Sequence, residues 1–410
     1  MTHPFTSVPS TLVNTVGVAV TTVGAGFTPS RSGARVSTQP ADLSKGDTRV
    51  MPMWHGRSYN VRTTEVCVRA LYFEEHGGTD KLLYGGRPEP EPGPGEVRVR
   101  LKTTALNHLD LFVLEGIPGI PIELPHIGGA DGAGVVDAVG EGVGDVEVGA
   151  EVVFDPGLSC GHCEYCQSGE QSLCVRFGVL GEHSDGTFAE AVVVSAQSLA
   201  PRPNHLSWEE SAAFGLAHLT AWRMLINRGG LGPGETVLIH GIGGGVSMAC
   251  LQLAKIVGAR VIATSRSDKK LRRAVELGAD ETLPADDQVA RGVRGLTGKR
   301  GADVVVDSVG EATWMQSLKA AAKGGRIVTC GATSGPNPVE EIRLIFWNQL
   351  SIIGSTMGSR RDWRQLIAAV EMHRLKPVID SVFPLAEGRT AYERMEEAGQ
   401  FAKIVLSIDG

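Results

Sequence analysis

Four cysteines fall within fifteen residues: Cys160, Cys163, Cys166 and Cys174, in the run CGHCEYCQSGEQSLC. The C-x2-C-x2-C-x7-C spacing lets four thiolates surround one tetrahedral zinc at about 2.3 Å each. That shell leaves no open coordination position, so the single metal it predicts holds structure and does no chemistry. Disulfide pairing is the competing reading of the same residues. A total of seven cysteines, with Cys67, Cys250 and Cys330 scattered, does not resemble a secreted disulfide framework. Cys250 and Cys330 lie in apolar stretches and read as small core residues.

A second chemical signal is glycine-rich. The apolar strand TVLIH runs into GIGGG and then into a helical pattern, VSMACLQLAKIVG. Glycines after a strand let the backbone approach a pyrophosphate, and the helix start offers N–H groups and a positive dipole end. Gly241, Gly243, Gly244, Gly245 and Val246 are therefore assigned to a dinucleotide. The third fingerprint glycine is displaced, with Val246 and Ser247 following the glycine run. The tip of the next strand, ATSRSDKK, carries Ser265 and Arg266, with Lys269 and Lys270 behind and no acid before Asp268. NAD sites place a carboxylate at this tip, whereas NADP sites supply a cation, so the expected cofactor is NADP(H). A solvated loop charge is the plain alternative for Arg266, and an exposed helical turn for the lysines. Gly331, closing the strand RIVTCG, completes the cofactor-binding set.

The elements that must position these groups follow from the patterning. The chain has 410 residues, 42% hydrophobic and 21% charged, with 53 glycines and a net charge of -7. That size suits more than one domain, and the negative balance argues against a nucleic-acid partner. No stretch has the apolar length of a membrane span. Residues 1–67 stand apart. They are rich in Thr, Ser, Gly and Val, with six basic residues (Arg31, Arg35, Lys45, Arg49, Arg57, Arg62) against Asp42, Asp47 and Glu65. They read as a disordered or wrongly assigned start, with an organelle transit peptide as the alternative. Residues 68–213 alternate as short strands with Gly/Pro turns (VRVRLKTTALN, PEPEPGPGE) and carry the cysteine lobe at 155–178 as an insertion. From WEESAAFGLAHLTAWRMLI the period becomes helical. Strand and helix then alternate through 214–356 (TWMQSLKAAAKGG a helix, RIVTCG a strand), the pattern of a doubly wound parallel sheet. Residues 357–410 return to a helix and a terminal strand, AKIVLSID. The expected class is α/β: a β domain plus a Rossmann domain.

Together these features resemble the medium-chain dehydrogenase/reductase superfamily over residues 68–410, with a GroES-like β domain ahead of a nicotinamide-binding Rossmann domain. The resemblance rests on GGADGAGVV, the cysteine lobe, GGGV and the closing KIVL, in that order. It implies that the lobe is the structural zinc lobe of the zinc alcohol dehydrogenases. Those enzymes also hold a catalytic zinc, through a Cys in a C-H-T-D-like stretch, a His-Glu pair in a GGHEGAG-like stretch and a later Cys. The matching stretches here are N-H-L-D, G-G-A-D-G-A-G and A-F-G-L-A-H, which place Asn107, Ala130 with Asp131, and about Leu216 at the ligand positions. Amide, methyl and isobutyl groups do not replace thiolate and imidazole. The alcohol proton relay is also lost, at Leu109 and Phe112. What remains resembles the zinc-free branch, the quinone oxidoreductases and enoyl reductases, whose N-x-x-D stretch is matched by Asn107 and Asp110.

Without a Lewis acid to lower the hydroxyl pKa, oxidation of a simple alcohol is difficult. An α,β-unsaturated carbonyl or a quinone accepts hydride directly and needs only a hydrogen-bond donor and a proton. The expected activity is therefore NADPH-dependent reduction of such a substrate without a catalytic metal. The alternatives are a zinc-type alcohol or aldehyde dehydrogenase and a catalytically silent NADPH-binding protein. Asn107 is the candidate for orienting nicotinamide or donating to the carbonyl, His108 for proton transfer, and Asp110 for fixing the loop. Thr220 resembles a cofactor-contacting threonine, with helix packing as its alternative. Phe346, Trp347 and Met357 either line an apolar pocket or pack a subunit contact. The family expectation is a cytoplasmic homodimer or homotetramer acting on a small molecule.

Overall fold

The structure, a computed structural model, describes residues 67–408. The reading of residues 1–66 as an extension or transit peptide lies outside them. Within the β-rich part, strand Glu96–Ala105 buries Val97, Val99 and Leu101 on one face. They pack on Val136, Val152, Phe154, Val192 and Val194 of neighbouring strands. The sheet runs Leu199–Pro201, Glu151–Phe154, Asp131–Val139, Glu96–Ala105, Lys403–Ser407, Ile379–Pro384, and Ala191–Ser195 also pairs with Glu96–Ala105. Its last two members come from the far end of the chain. Lys403–Ser407 lies antiparallel to Glu96–Ala105, with Val405 opposite Ala105. A two-stranded ribbon, Gly157–Leu158 with Gly178–Val179, closes the neck of the cysteine lobe.

Six parallel strands form the second sheet: Thr236–Ile239, Arg260–Ser265, Glu281–Pro284, Ala302–Val306, Ala321–Thr329 and Ser351–Gly354. Numbered along the chain they lie in space as 3-2-1-4-5-6, the Rossmann order, whose switch point falls beside the first strand. The central strands are apolar on both faces, as covering by helices on both sides requires. The helix Gly245–Val257 buries Met248, Ala249, Cys250, Leu251, Leu253 and Ala254 and stops at Gly258, whose φ of 85° suits glycine. The α/β class and the GroES-like plus Rossmann architecture are thus both present.

Two elements differ from the sequence expectation. WEESAAFGLAHLTAWRMLI is not one helix but two, Trp208–Ala212 and Gly215–Trp222, followed by a π-helical turn at Arg223–Arg228. The break has a cause. The Leu216 N–H, which sits in the first turn of the second helix, donates to the Asp131 carboxylate at 2.6 Å, so the helix restarts on a side-chain acceptor. TWMQSLKAAAKGG also divides. Its helix ends at Ala320, and Ala321 already pairs with Ala302 as the start of a strand.

The lobe and the Rossmann half are joined by a buried cation. Arg223, in the π turn, donates to Glu170 of the lobe and to Asp362 at 3.0 Å. Asp362 also accepts from Asn227, and from the Ser359 N–H at 2.7 Å, where it caps helix Arg360–His373. The Arg223 and Asp362 side chains are 7% and 1% exposed. Removing one member of such a pair leaves a buried charge unmet. We therefore expect Asp362→Ala to lower unfolding free energy by about 3 kcal/mol or more, read as a reduced urea midpoint at unchanged slope.

Candidate active site and zinc lobe

The four cysteine sulfurs all lie within 4.8 Å of one another, and Cys160 and Cys166 are 3.9 Å apart. Tetrahedral bonds of about 2.3 Å imply sulfur separations of about 3.8 Å, so the donor set fits one zinc. The backbone prepares the thiolates. Cys174 Sγ accepts from the N–H groups of Cys160 and Arg176, each at 3.3 Å. The N–H groups of Cys166 and Val175 pull the Cys163 thiol down to about 6, whereas burial pushes Cys166 up to about 12. A cation among them is what allows all four to be thiolates at once. Among the described residues, no other group of three or more His, Cys, Asp or Glu places its atoms for a metal.

A cleft of about 1210 Å³ opens beside the Rossmann switch point. Gly241, Gly243 and Gly244 line it, and so do Ser265, Arg266 and Lys270 at the tip of the second strand. Gly243 has φ 114°, which only glycine adopts comfortably. The helix start at Gly245 supplies the first-turn N–H groups that an anion needs. These residues fit a dinucleotide. Arg266, Lys270 and Arg394 share one electrostatic neighbourhood: burial lowers the Lys270 pKa, Asp380 opposes it, and the two arginines add to the lowering. Lys270 Nζ meanwhile bonds the Ala398 carbonyl at 2.8 Å. Gly245, Val246, Thr220 and Gly331 do not line the cleft. Thr220 donates its hydroxyl to the Leu216 carbonyl at 2.8 Å and touches the Met357 sulfur, a packing role in this conformation.

His108 is the one residue of the N-H-L-D stretch that reaches the cleft. It opens helix His108–Glu115, its ring set edge-on to Phe112. Burial lowers its pKa below the usual 6.5, with Glu115 opposing. Asp110 faces inward, where its carboxylate accepts from the N–H groups of Asn107 at 2.6 Å and Gly129 at 3.1 Å. Burial, against those bonds and Lys403, pushes it up to about 7. The geometry makes it a loop fastener.

Asn107 and Asp131 meet at the centre. Asp131 is fully buried, with Oδ1 on the Leu216 N–H and Oδ2 on Asn107 Nδ2 at 3.0 Å. Lys403, itself 3% exposed, donates to Asn107 Oδ1 at 2.6 Å and Asp131 Oδ2 at 2.8 Å. The three stretches aligned with metal ligands are thus stitched by hydrogen bonds around an ammonium. A Cβ on Gly215 would come within 2.5 Å of Asp131 Oδ1, so no side chain fits there. His218 lies nearby, driven by burial to about 4 and hence neutral. Sequence reasoning missed Lys403, whose signal was a lysine inside an otherwise apolar terminal strand. It also missed His240, Thr313 and Arg394 on the cleft wall. Phe346 and Trp347 are exposed, whereas Met357 is buried, so these three do not act together.

Comparison with known proteins agrees with this architecture. Residues 93–204 match the alcohol dehydrogenase GroES-like domain family, and residues 245–372 the zinc-binding dehydrogenase family. A zinc-type alcohol dehydrogenase-like protein of Schizosaccharomyces pombe is 35% identical over 75% of this chain and 90% of its own length. The crotonyl-CoA carboxylase/reductase of Cereibacter sphaeroides is 30% identical over 81% of this chain and 84% of its own. A solved NAD-dependent alcohol dehydrogenase superposes with a TM-score of 0.79 at 49% identity, covering 83% of this chain and 99% of that one. The chain belongs to the medium-chain dehydrogenase/reductase superfamily of oxidoreductases, in its zinc-type alcohol dehydrogenase-like group. No helix among the described residues is long and apolar enough to cross a membrane.

The lobe makes its own prediction. Elemental analysis should return one zinc per chain. Cys166→Ser should abolish it and lower the melting temperature, because zinc binding by such a lobe is folding free energy.

Proposed function

We propose that this protein is an NADPH-dependent reductase that delivers hydride to an α,β-unsaturated carbonyl or a quinone without a catalytic metal. One observation carries the reading: the three metal-ligand stretches hold Asn107, Asp131 and the Leu216 backbone, mutually hydrogen-bonded around Lys403. The nicotinamide cofactor supplies the hydride when bound. The chain's own residues do the rest. Gly241, Gly243 and Gly244 admit the pyrophosphate to the start of helix Gly245–Val257. Ser265, Arg266 and Lys270 recognise the 2′-phosphate, a function that a carboxylate at this tip would oppose. His108 holds the proton that the reduced product takes up. Two relatives named for enoyl-type reduction support the unsaturated-carbonyl half of the reading: the crotonyl-CoA carboxylase/reductase, and an acryloyl-coenzyme A reductase of Sulfurisphaera tokodaii at 30% identity.

Alcohol oxidation is the second reading, favoured by the 49% identity to the solved NAD-dependent alcohol dehydrogenase. Cofactor consumption with enones, quinones and alcohols, with and without chelator, separates the two. We expect chelator-resistant turnover of an enone or quinone. Chelator-sensitive alcohol oxidation, or a second zinc per chain, would overturn the proposal. Arg266→Ala is expected to raise KM for NADPH about tenfold or more while leaving KM for NADH nearly unchanged.

A general acid acts only while protonated. Reduction should therefore be fastest below the His108 pKa, and kcat/KM should fall as pH rises through it. Burial places that falling limb below pH 6.5. His108→Gln should remove the limb and slow reduction by roughly 10²-fold.

We also propose a homodimer through the free edge of the Rossmann sheet. Among the described residues Ser351–Gly354 is an edge strand, and on the helix just before it in the chain Ile342, Phe346 and Trp347 are 66%, 62% and 74% exposed. An edge strand preceded by a helix with exposed apolar side chains invites a second copy. Light scattering should give twice the chain mass, and Trp347→Glu should shift it toward the monomer.

A further inference from the structure

We propose that Lys403 is a positioning residue of the reaction site. Its ammonium fixes the Asn107 carboxamide, and through it the helix that carries His108 into the cleft. The inference rests on the reductase reading for its chemistry and on geometry alone for its mechanics.

Lysine has donors only and an ionised aspartate has acceptors only. Asn107 lies between them, so one amide orientation satisfies both: Oδ1 toward Lys403 Nζ at 2.6 Å, Nδ2 toward Asp131 Oδ2 at 3.0 Å. Its remaining amide hydrogen faces the Ala105 carbonyl at 3.5 Å. Asn107 therefore spends both ends of its side chain inside the protein. It acts through the backbone it anchors, standing at the N-cap of His108–Glu115. Its own N–H is held by Asp110, whose other oxygen holds the Gly129 N–H. His108, the next residue, is the proton-bearing side chain at the cleft.

The aliphatic stem of Lys403 lies against the cofactor side. A Cβ added to Gly245, the first residue of the pyrophosphate helix, would sit 3.3 Å from Lys403 Cδ. The preceding residue, Ala402, donates its N–H to the Gly243 carbonyl at 2.8 Å. One buried side chain thus spans from the phosphate loop to the proton donor's helix. The same ammonium neutralises Asp131, whose other oxygen sets the start of helix Gly215–Trp222. A charge placed here fixes the relative position of three segments, and small misplacements at a reacting site are costly in rate.

Lys403→Met alone leaves Asp131 buried without its cation and is expected to destabilise the fold. The decisive variant is Lys403→Met with Asp131→Asn, which removes both charges together. Asn107→Leu, which keeps the Lys403–Asp131 pair, provides an independent route to the same loss. Two readouts are taken on folded protein: amide hydrogen exchange across residues 107–115, which needs no substrate, and turnover with a panel substrate, with cofactor affinity measured separately. We expect exchange in 107–115 to quicken on the order of tenfold or more, and kcat to fall at least as far. NADPH affinity should change much less. Wild-type exchange in either folded variant overturns the proposal. So does faster exchange with unchanged kcat, which would leave Lys403 as scaffold only. If the wild-type protein turns over no enone or quinone, the reductase reading fails while the exchange result still decides the mechanics.

Discussion

A carboxylate with no solvent exposure is stable only if its charge is met. Asp131 is such a group, and its needs organise the molecule. One oxygen takes a backbone N–H from the start of helix Gly215–Trp222; the other is shared between Asn107 and Lys403. Its main-chain carbonyl takes the hydroxyls of Thr104 and Thr187. Satisfying one buried anion thereby draws together the β-rich part, the entry to the Rossmann part and the terminal strand. Each hydrogen bond is worth little alone; together they make any single removal expensive, because what is left behind is buried and unpaired.

The cysteine lobe and the Asn107–Asp131 site meet their cations by different logics. In the cysteine lobe, donors of one soft type sit close together with little apolar core around them, so the cation must come from outside. At Asn107 and Asp131, the donors are hard and mixed, the surroundings are packed, and the cation is covalently part of the chain. The lobe is nevertheless not autonomous, since Glu170 between its third and fourth cysteines reaches Arg223 and, through it, Asp362. Its metal thus supports a junction as well as a loop.

Much of this was legible in the sequence. The Rossmann alternation, the glycine turn after TVLIH and the cysteine spacing are local patterns, and local patterns survive without three-dimensional context. What escaped reading were residues whose meaning comes from partners far away. The helix breaks after Ala212 because Asp131, 85 positions before Leu216, supplies an acceptor. Ala321 leaves its helix because it pairs with Ala302. Lys403 looked like part of a closing apolar strand, and only its placement opposite the Asn107 loop gives it a role. The cofactor wall was half legible: glycines and the cationic tip declare themselves, whereas His240, Thr313 and Arg394 belong to it only after folding.

The span between Asn107 and Lys403, 296 positions along the chain, has a consequence for biosynthesis. Ribosomes add about 5–20 residues per second, so Lys403 is made roughly 15–60 s after Asn107. Throughout that interval the nascent β module holds Asp131 without its counter-charge and Glu96–Ala105 without one of its neighbouring strands. It has every reason to stay loose, and to interest chaperones, until the late strand arrives. The Rossmann half carries its own complete sheet within residues 236–354 and is under no such wait. Assembly is then ordered by where the lysine was put in the gene: the cofactor half can mature first, and the reaction site closes last.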